Sequence, residues 1–294
     1  MDTLTKTTDQ MTDSDTDLKV AIQGYPGAFH DIASRQYFDK NMVEIVPGHT
    51  FDDLVSLVQD KTADAGLMAI ENTLAGGIVS NYYRLLENNL RATGEIYLRI
   101  KQNLMTLPGQ KIEDLKEVYS HPMAIAQCKK FFYKYPKIHL VEAEDTALSA
   151  KKIADQKQKN IGAIASSLAA EMYGLEIIAA GIETNKQNHT RFLVLERDGE
   201  YQVDTNANKV SLCFSVSHQV GSLHKVLSVM AAYELNLTKI QSIPIAGKHW
   251  EYFFFVDFIC NGQVQWQQGI ESLKPLVTDL KVLGVYRRGK HIEV

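Results

Sequence analysis

The chain has 294 residues, 45% of them hydrophobic and 22% charged, with a formal net charge of −4. That length holds roughly two domains with cores of their own, in the composition of a soluble globular protein. Lysine and arginine are spread along a slightly acidic chain, which argues against a nucleic-acid surface, and no apolar run reaches the roughly 18–20 residues of a membrane span.

Residues 1–17 are rich in Thr and Asp and nearly free of apolar side chains. They read as a disordered tail, without the basic start and apolar middle of a signal peptide. Cys128, Cys213 and Cys260 stand far apart with no disulfide framework or metal-ligand spacing, which points to a reducing cytoplasm. Leu18–Gln23 is a strand, Gly24-Tyr25-Pro26-Gly27 a tight turn, and Ala28–Asp39 a helix. A short strand at Glu44–Val46, a helix at Phe51–Gln59 and a buried strand at Ala65–Ile70 follow. Glu71-Asn72-Thr73 stands at the end of that strand. A helix from Val79 to Asn88 and a strand from Arg91 to Ile100 complete the run.

A second run repeats the alternation. Strands end near Ser120, Ala143 and Ala165, and helices start at His121-Pro122, Asp145-Thr146 and Ser166-Ser167. Alternating strands and helices predict two α/β lobes with mostly parallel sheets. We place lobe 1 at residues 18–100 plus 178–198 and lobe 2 at 101–177. The hydroxyls of Ser120, Thr146 and Ser166 are good N-caps wherever helices start, and they also suit an anion site if those starts converge.

The stretch Asn188-His189-Thr190-Arg191-Phe192 puts an amide, an imidazole, a hydroxyl and a guanidinium ahead of the apolar run Phe192–Leu195. Read as the mouth of a strand, it lets Arg191 grip a carboxylate and Thr190 present a hydroxyl to a leaving group. By itself it reads equally well as a polar turn. Beyond a polar linker at 199–208, residues 209–294 alternate as strand, helix, two strands, helix, strand. This is the ferredoxin-like βαββαβ plan, with strands at Lys209–Ser217, Leu237–Ile243, Trp250–Ile259 and Val282–Tyr286 and a second helix at Val264–Val277.

Taken together, these segments resemble the monofunctional prephenate dehydratases, which carry a C-terminal ACT regulatory domain. The resemblance rests on Gly24–Phe29, Ile70-Glu71-Asn72-Thr73 with Gly76, Ser120-His121-Pro122 with Ala126-Gln127-Cys128, Ala165-Ser166 with Tyr173-Gly174-Leu175, and Asn188 with Thr190-Arg191-Phe192. In the C-terminal part it rests on Gly221-Ser222-Leu223, Asn236–Ile240 and Trp250–Asp257. It implies a two-lobed α/β catalytic domain, similar to periplasmic-binding-protein-like folds, and conversion of prephenate to phenylpyruvate without metal or redox cofactor. It implies Thr190, Arg191 and Glu71 as catalytic residues, with Thr190 assisting the departing hydroxyl. Asn72, Thr73, Ser120, His121, Ser166, Asn188 and Phe192 are implied for substrate. Gly221, Ser222, Leu223, Asn236 and Leu237 are implied for the effector L-phenylalanine, in a homodimer or homotetramer.

The chain departs from the family at Ala28, His30 and Met123 near the expected cleft. Gln241-Ser242-Ile243-Pro244 stands where the family carries Glu-Ser-Arg-Pro, which leaves the effector open. The tail is too short and too polar to be a helical chorismate mutase domain. A non-catalytic amino-acid sensor fits the same two lobes. An ACT-bearing dehydrogenase is disfavoured because no full glycine fingerprint follows a strand.

Overall fold

The computed structural model describes residues 17–38, 43–200, 202–260 and 264–293. The predicted tail therefore lies outside the described residues, apart from Asp17. Lobe 1 is built from β1 (Leu18–Gln23), α1 (Phe29–Tyr37), β2 (Val43–Gly48), α2 (Phe51–Gln59), β3 (Ala65–Asn72), the short β4 (Gly76–Gly77), α3 (Val79–Glu87) and β5 (Leu90–Arg99). Lobe 2 holds β6 (Asn103–Thr106), β7 (Glu117–Ser120), α4 (Pro122–Phe132), β8 (His139–Glu142), α5 (Thr146–Asp155), β9 (Ile161–Ala165), α6 (Ser167–Tyr173) and β10 (Glu176–Ala179). The chain then returns to lobe 1 as β11 (His189–Arg197).

The two lobes share one strand plan. Lobe 1 runs β2-β1-β3-β11-β5 and lobe 2 runs β8-β7-β9-β6-β10. In each, the first three strands are parallel and the fourth runs antiparallel to both of its neighbours. The lobe boundary shifts from its predicted place: β10 pairs with β6, so Ile178 and Ala179 belong to lobe 2. Two crossings join the lobes, at residues 100–102 and 180–188.

Residues 209–293 form β12 (Lys209–Ser215), α7 (Ser222–Ala232), β13 (Leu235–Pro244), β14 (Tyr252–Cys260), α8 (Trp266–Leu273), β15 (Thr278–Tyr286) and β16 (His291–Ile292). Through β15 this is a βαββαβ unit with the antiparallel order β13-β14-β12-β15. Its apolar residues Val210, Leu212, Phe214, Val226 and Leu273 form a core between sheet and helices. Several of its elements differ from expectation, β15 by starting at Thr278 rather than Val282. Trp250, predicted to open a strand, is an exposed turn residue with φ 60, and β14 starts at Tyr252. The second helix stops at Leu273 in a short 3-10 turn, because Pro275 has no N–H to continue it.

Lobe 1 is covered on both faces. On one face Val20, Ile32, Ala69, Phe192 and Val194 pack beneath α1. On the other, Met68, Ile70, Leu193 and Leu195 share a core with Cys213, Ile243, Phe255 and Leu283 of the C-terminal unit. Phe192 and Val194 thus point one way and Leu193 and Leu195 the other, as strand alternation requires. β15 joins β5 through Gly284 and Ala92, where a side chain on Gly284 would run into the Ala92 backbone. The three cysteines are free, and no described helix is long and apolar enough to cross a membrane.

Candidate active site

A cavity of about 530 Å³ lies between the lobes, at the C-terminal ends of β1 and β3. This is where open α/β sheets hold ligands. The first turns of five helices reach it: His30 of α1, Phe51 of α2, Ser80 of α3, Met123 of α4 and Thr146 of α5 line its wall. Three of these starts are capped by side chains. Thr50 accepts from the Asp53 N–H, His121 from the Met123 N–H and Asp145 from the Leu148 N–H. The N-caps of α1 and α3, Ala28 and Ile78, make no side-chain bond. First-turn N–H groups at those two starts carry the positive end of a helix dipole toward the cavity, a setting for a carboxylate.

The turn before α1 is held from lobe 2. Gly27 has φ +87 and a Cβ there would stand 3.0 Å from the Ala169 Cα, so this approach admits only glycine. The Ser166 hydroxyl donates to the Gly27 carbonyl at 2.5 Å and accepts from the Ala169 N–H. Ser166 therefore fastens the turn from behind and does not face the cavity. Ser120 is likewise withdrawn, because its hydroxyl donates to the Ile164 carbonyl at 2.6 Å. Both small hydroxyl residues tie strands and turns together, which corrects their expected place on the substrate. Thr146 does line the cavity.

Thr190, Phe192, Asn72 and His121 all line the cavity. Asn72 organises the group. Its Oδ1 accepts from the Leu74 and Ala75 N–H groups at 2.9 and 3.0 Å. Its Nδ2 must then point the other way, and it donates to Thr190 Oγ1 at 3.0 Å and to Asn188 Oδ1 at 2.8 Å. Asn188 is fully buried and donates through Nδ2 to Gln127 Oε1 at 3.0 Å. The Thr190 oxygen thus accepts from an amide, which leaves its O–H to donate outward. Thr73 stands outside the cavity: its hydroxyl donates to the Gln187 carbonyl and accepts from the His189 N–H.

Arg191 is on the opposite side of the sheet. Its Nε donates to Glu95 Oε2 at 2.7 Å, one terminal nitrogen donates to Asp257 and the other to the Tyr286 hydroxyl at 3.0 Å. Lys209 completes the group, with Nζ 2.9 and 2.8 Å from the two Glu95 oxygens. All four charged side chains are buried. Burial opposes the guanidinium charge, yet Asp257, Tyr286 and Glu95 hold its pKa well above the ordinary value. Burial acts against the Asp257 carboxylate too, and Arg191 and Lys209 hold its pKa below the usual range. The expected carboxylate grip of Arg191 is therefore replaced by a joint between lobe 1 and the C-terminal unit. Glu71 shares this side, opposite Arg191 in register, and pairs with Lys239 at 3.1 Å. It is not placed to supply a proton to the cavity.

The arginine that does line the cavity is Arg84, which donates to both Asp52 oxygens at 2.7 and 2.6 Å. Glu144 and Asp145 add carboxylates from lobe 2. Burial raises the Asp145 pKa against the stabilising bonds from the Leu148 and Ala147 N–H groups. Gln102 and Gln127 were missing from the expected set. The short Ala126-Gln127-Cys128 motif hinted at Gln127, and no local motif pointed to Gln102.

A family model described as prephenate dehydratase matches residues 20–200. The chain belongs to the prephenate dehydratase family. Arogenate dehydratase 2 of Petunia hybrida is 38% identical over 286 residues, which cover 92% of this chain and 71% of the relative. A solved structure described as GqqA, a novel type of quorum quenching acylase, superposes with a TM-score of 0.82 at 29% identity, over 92% of this chain and 98% of the other. The prephenate dehydratase of Arthrobacter aurescens, in complex with L-Phe, has a TM-score of 0.80 at 26% identity, over 92% of this chain and 90% of the other. This member of the prephenate dehydratase family is accordingly an enzyme, a carbon–oxygen lyase of phenylalanine biosynthesis.

The C-terminal unit has a cavity of its own, of about 350 Å³, lined by Val220, Ser222, Leu223, Trp250 and Tyr252 among others. Gly221 opens α7 beside it with φ 82. Asn236 and Leu237, grouped with them from sequence, lie on β13 away from this cavity: Asn236 is exposed and Leu237 packs into the C-terminal core. Ile243, where the family carries arginine, is buried in the core shared with lobe 1.

Proposed function

We propose that this enzyme converts prephenate to phenylpyruvate, carbon dioxide and water, with Thr190 assisting the departing hydroxyl. The ring carboxylate leaves as carbon dioxide, and its bonding electrons enter the ring as the C–O bond to the hydroxyl breaks. The hydroxide that departs takes up one proton and becomes water. The observation that carries the reading is the Asn72-to-Thr190 hydrogen bond inside a cavity faced by five helix starts. An amide donating into Oγ1 orients the O–H outward and favours its giving up a proton, which solvent then restores. A threonine hydroxyl is a poor acid by itself, so it relays a proton or donates a hydrogen bond. The uncapped starts of α1 and α3 receive the carboxylates. Phenylpyruvate formed from prephenate is read by its absorbance in alkali. Well-folded protein that yields none overturns the proposal, and turnover of neither prephenate nor arogenate favours an amino-acid sensor.

A second reading, dehydration of arogenate, is favoured by Glu144 and Asp145 in the cavity wall, since arogenate carries an ammonium where prephenate carries a keto group. The acylase description of the GqqA structure is less well supported. Among the described residues no imidazole or carboxylate hydrogen-bonds the Thr190 hydroxyl, and an acylating nucleophile needs such a base.

We further infer that residues 209–294 are an ACT regulatory domain that binds phenylalanine at the cavity beside Gly221, Ser222 and Leu223 in a homodimer or homotetramer. The βαββαβ order and the L-Phe complex of the Arthrobacter aurescens relative support this reading. Activity and oligomer size that both ignore saturating phenylalanine overturn it. A cytoplasmic location accords with three free cysteines.

A further inference from the structure

Gln102 sits on the first crossing between the lobes and is only 3% exposed, yet it lines the interlobe cavity. Its backbone is pinned: the N–H donates to Glu183 Oε2 at 3.0 Å and the carbonyl accepts from the Ile182 N–H at 2.8 Å. The identity of its side-chain atoms follows from a chain of amides. Asn72 Oδ1 is occupied by two backbone N–H groups, so Nδ2 faces Asn188 Oδ1. Asn188 Nδ2 then faces Gln127 Oε1. That oxygen also takes Gln102 Nε2, at 3.4 Å. The remaining atom of the Gln102 amide is therefore the oxygen, and Oε1 is buried with no hydrogen-bond partner. A buried carbonyl oxygen left without a donor is uncommon in folded proteins and calls for one.

We propose that Gln102 Oε1 is a substrate contact that accepts a hydrogen bond from a donor on the bound acid. The inference rests on the dehydratase reading of this cavity. A carboxylate cannot fill the role, because it has no proton to give. The ring hydroxyl can, and so can the ammonium of the 2-amino acid form. If the hydroxyl is the donor, the departing oxygen accepts from Thr190 and donates to Gln102. That contact holds the hydroxyl with a lone pair toward Thr190, where the departing group takes up its proton. If the ammonium is the donor, Gln102 discriminates the amino acid from the keto acid, beside Glu144 and Asp145.

The test is Gln102→Met, assayed with prephenate and with arogenate. The variant keeps the side-chain length and removes a buried unpaired oxygen, so its melting temperature is expected to match or exceed that of the wild type. A fall in kcat/KM of about tenfold to a hundredfold is expected, the size of one lost hydrogen bond to a reacting or charged group. Equal falls on both acids assign the hydroxyl, and a fall on arogenate alone assigns the ammonium. Should the variant melt early, Gln102→Asn withdraws the oxygen by one methylene and is read the same way. Values within about twofold of wild type for both acids in Gln102→Met overturn it alone. A wild-type chain that turns over neither acid overturns it together with the reading it rests on.

Discussion

Thr190 and Arg191 are chain neighbours on β11 in opposite settings. On the cavity side, Thr190 is held by uncharged amides that run through Asn72, Asn188 and Gln127 and end in an unpaired acceptor on Gln102. On the far side, Arg191 and Lys209 balance Glu95 and Asp257 in a buried cluster, and each guanidinium nitrogen donates within it. A side with polar groups in reserve has something left to offer a ligand. A side in which the charges satisfy one another is a joint. The contrast also shows that a strong cation next to a catalytic candidate need not belong to the same site.

The largest effect is expected on the joint. Arg191→Leu strands two buried carboxylates with Lys209 as their only nearby cation, and should lower stability by about 3–5 kcal/mol. Urea unfolding reads this directly, and an unchanged midpoint would break the comparison. Thr190→Ala should do the reverse: turnover falls about a hundredfold to a thousandfold, the scale of one lost transition-state contact, while the unfolding midpoint stays put. If Thr190→Ala unfolds the protein instead, the cavity side is structural as well.

Acid should separate the two sides. His30 packs edge-on to Phe192 with ring centroids 4.9 Å apart, and its Nε2 is buried without a partner. Burial lowers its pKa from 6.5 to about 4. The folded form thus refuses a proton that the unfolded form accepts, so stability is full above pH 6.5 and falls as the pH drops toward 4. The loss can reach about 3 kcal/mol. His30→Phe should flatten that window, and melting curves from pH 7 to 4 check it. Asp257 has its pKa held below the usual carboxylate range, so its contribution survives that window and fades only at lower pH. The smallest effect is expected for Glu71→Gln. Its pairing with Lys239 is partly exposed, which limits the loss to at most about 1 kcal/mol with turnover little changed. Abolished turnover would return Glu71 to the chemistry and contradict its placement.

Much of the architecture was legible because it rests on short-range rules. Period-2 and period-3.6 patterns located most strands and helices of both lobes, without β4, β6 and β10, and the Thr50–Asp53 capping box fixes the start of α2 locally. The βαββαβ order of the last segment was legible for the same reason. Two of the misplaced site residues share one cause. Ser120 and Ser166 look like any hydroxyl at a helix start, and only packing reveals that Ile164 and Gly27 take their protons. Gln102 carries no local signal, since its role comes from partners as distant in sequence as Glu183.

From the residues alone it followed that two α/β lobes precede a βαββαβ unit, and that polar groups gather around residue 190. Only with β11 starting at His189 does alternation require Thr190 and Arg191 to point apart. What lay on each side was decided in three dimensions. The C-terminal unit packs against one face of lobe 1 through Phe255 and Ile243, and that contact buries Arg191 with Asp257. The other face at Thr190 meets lobe 2 across the cavity. A strand specifies two faces, but the free energy that assigns a neighbour to each comes from burial against segments far away in sequence.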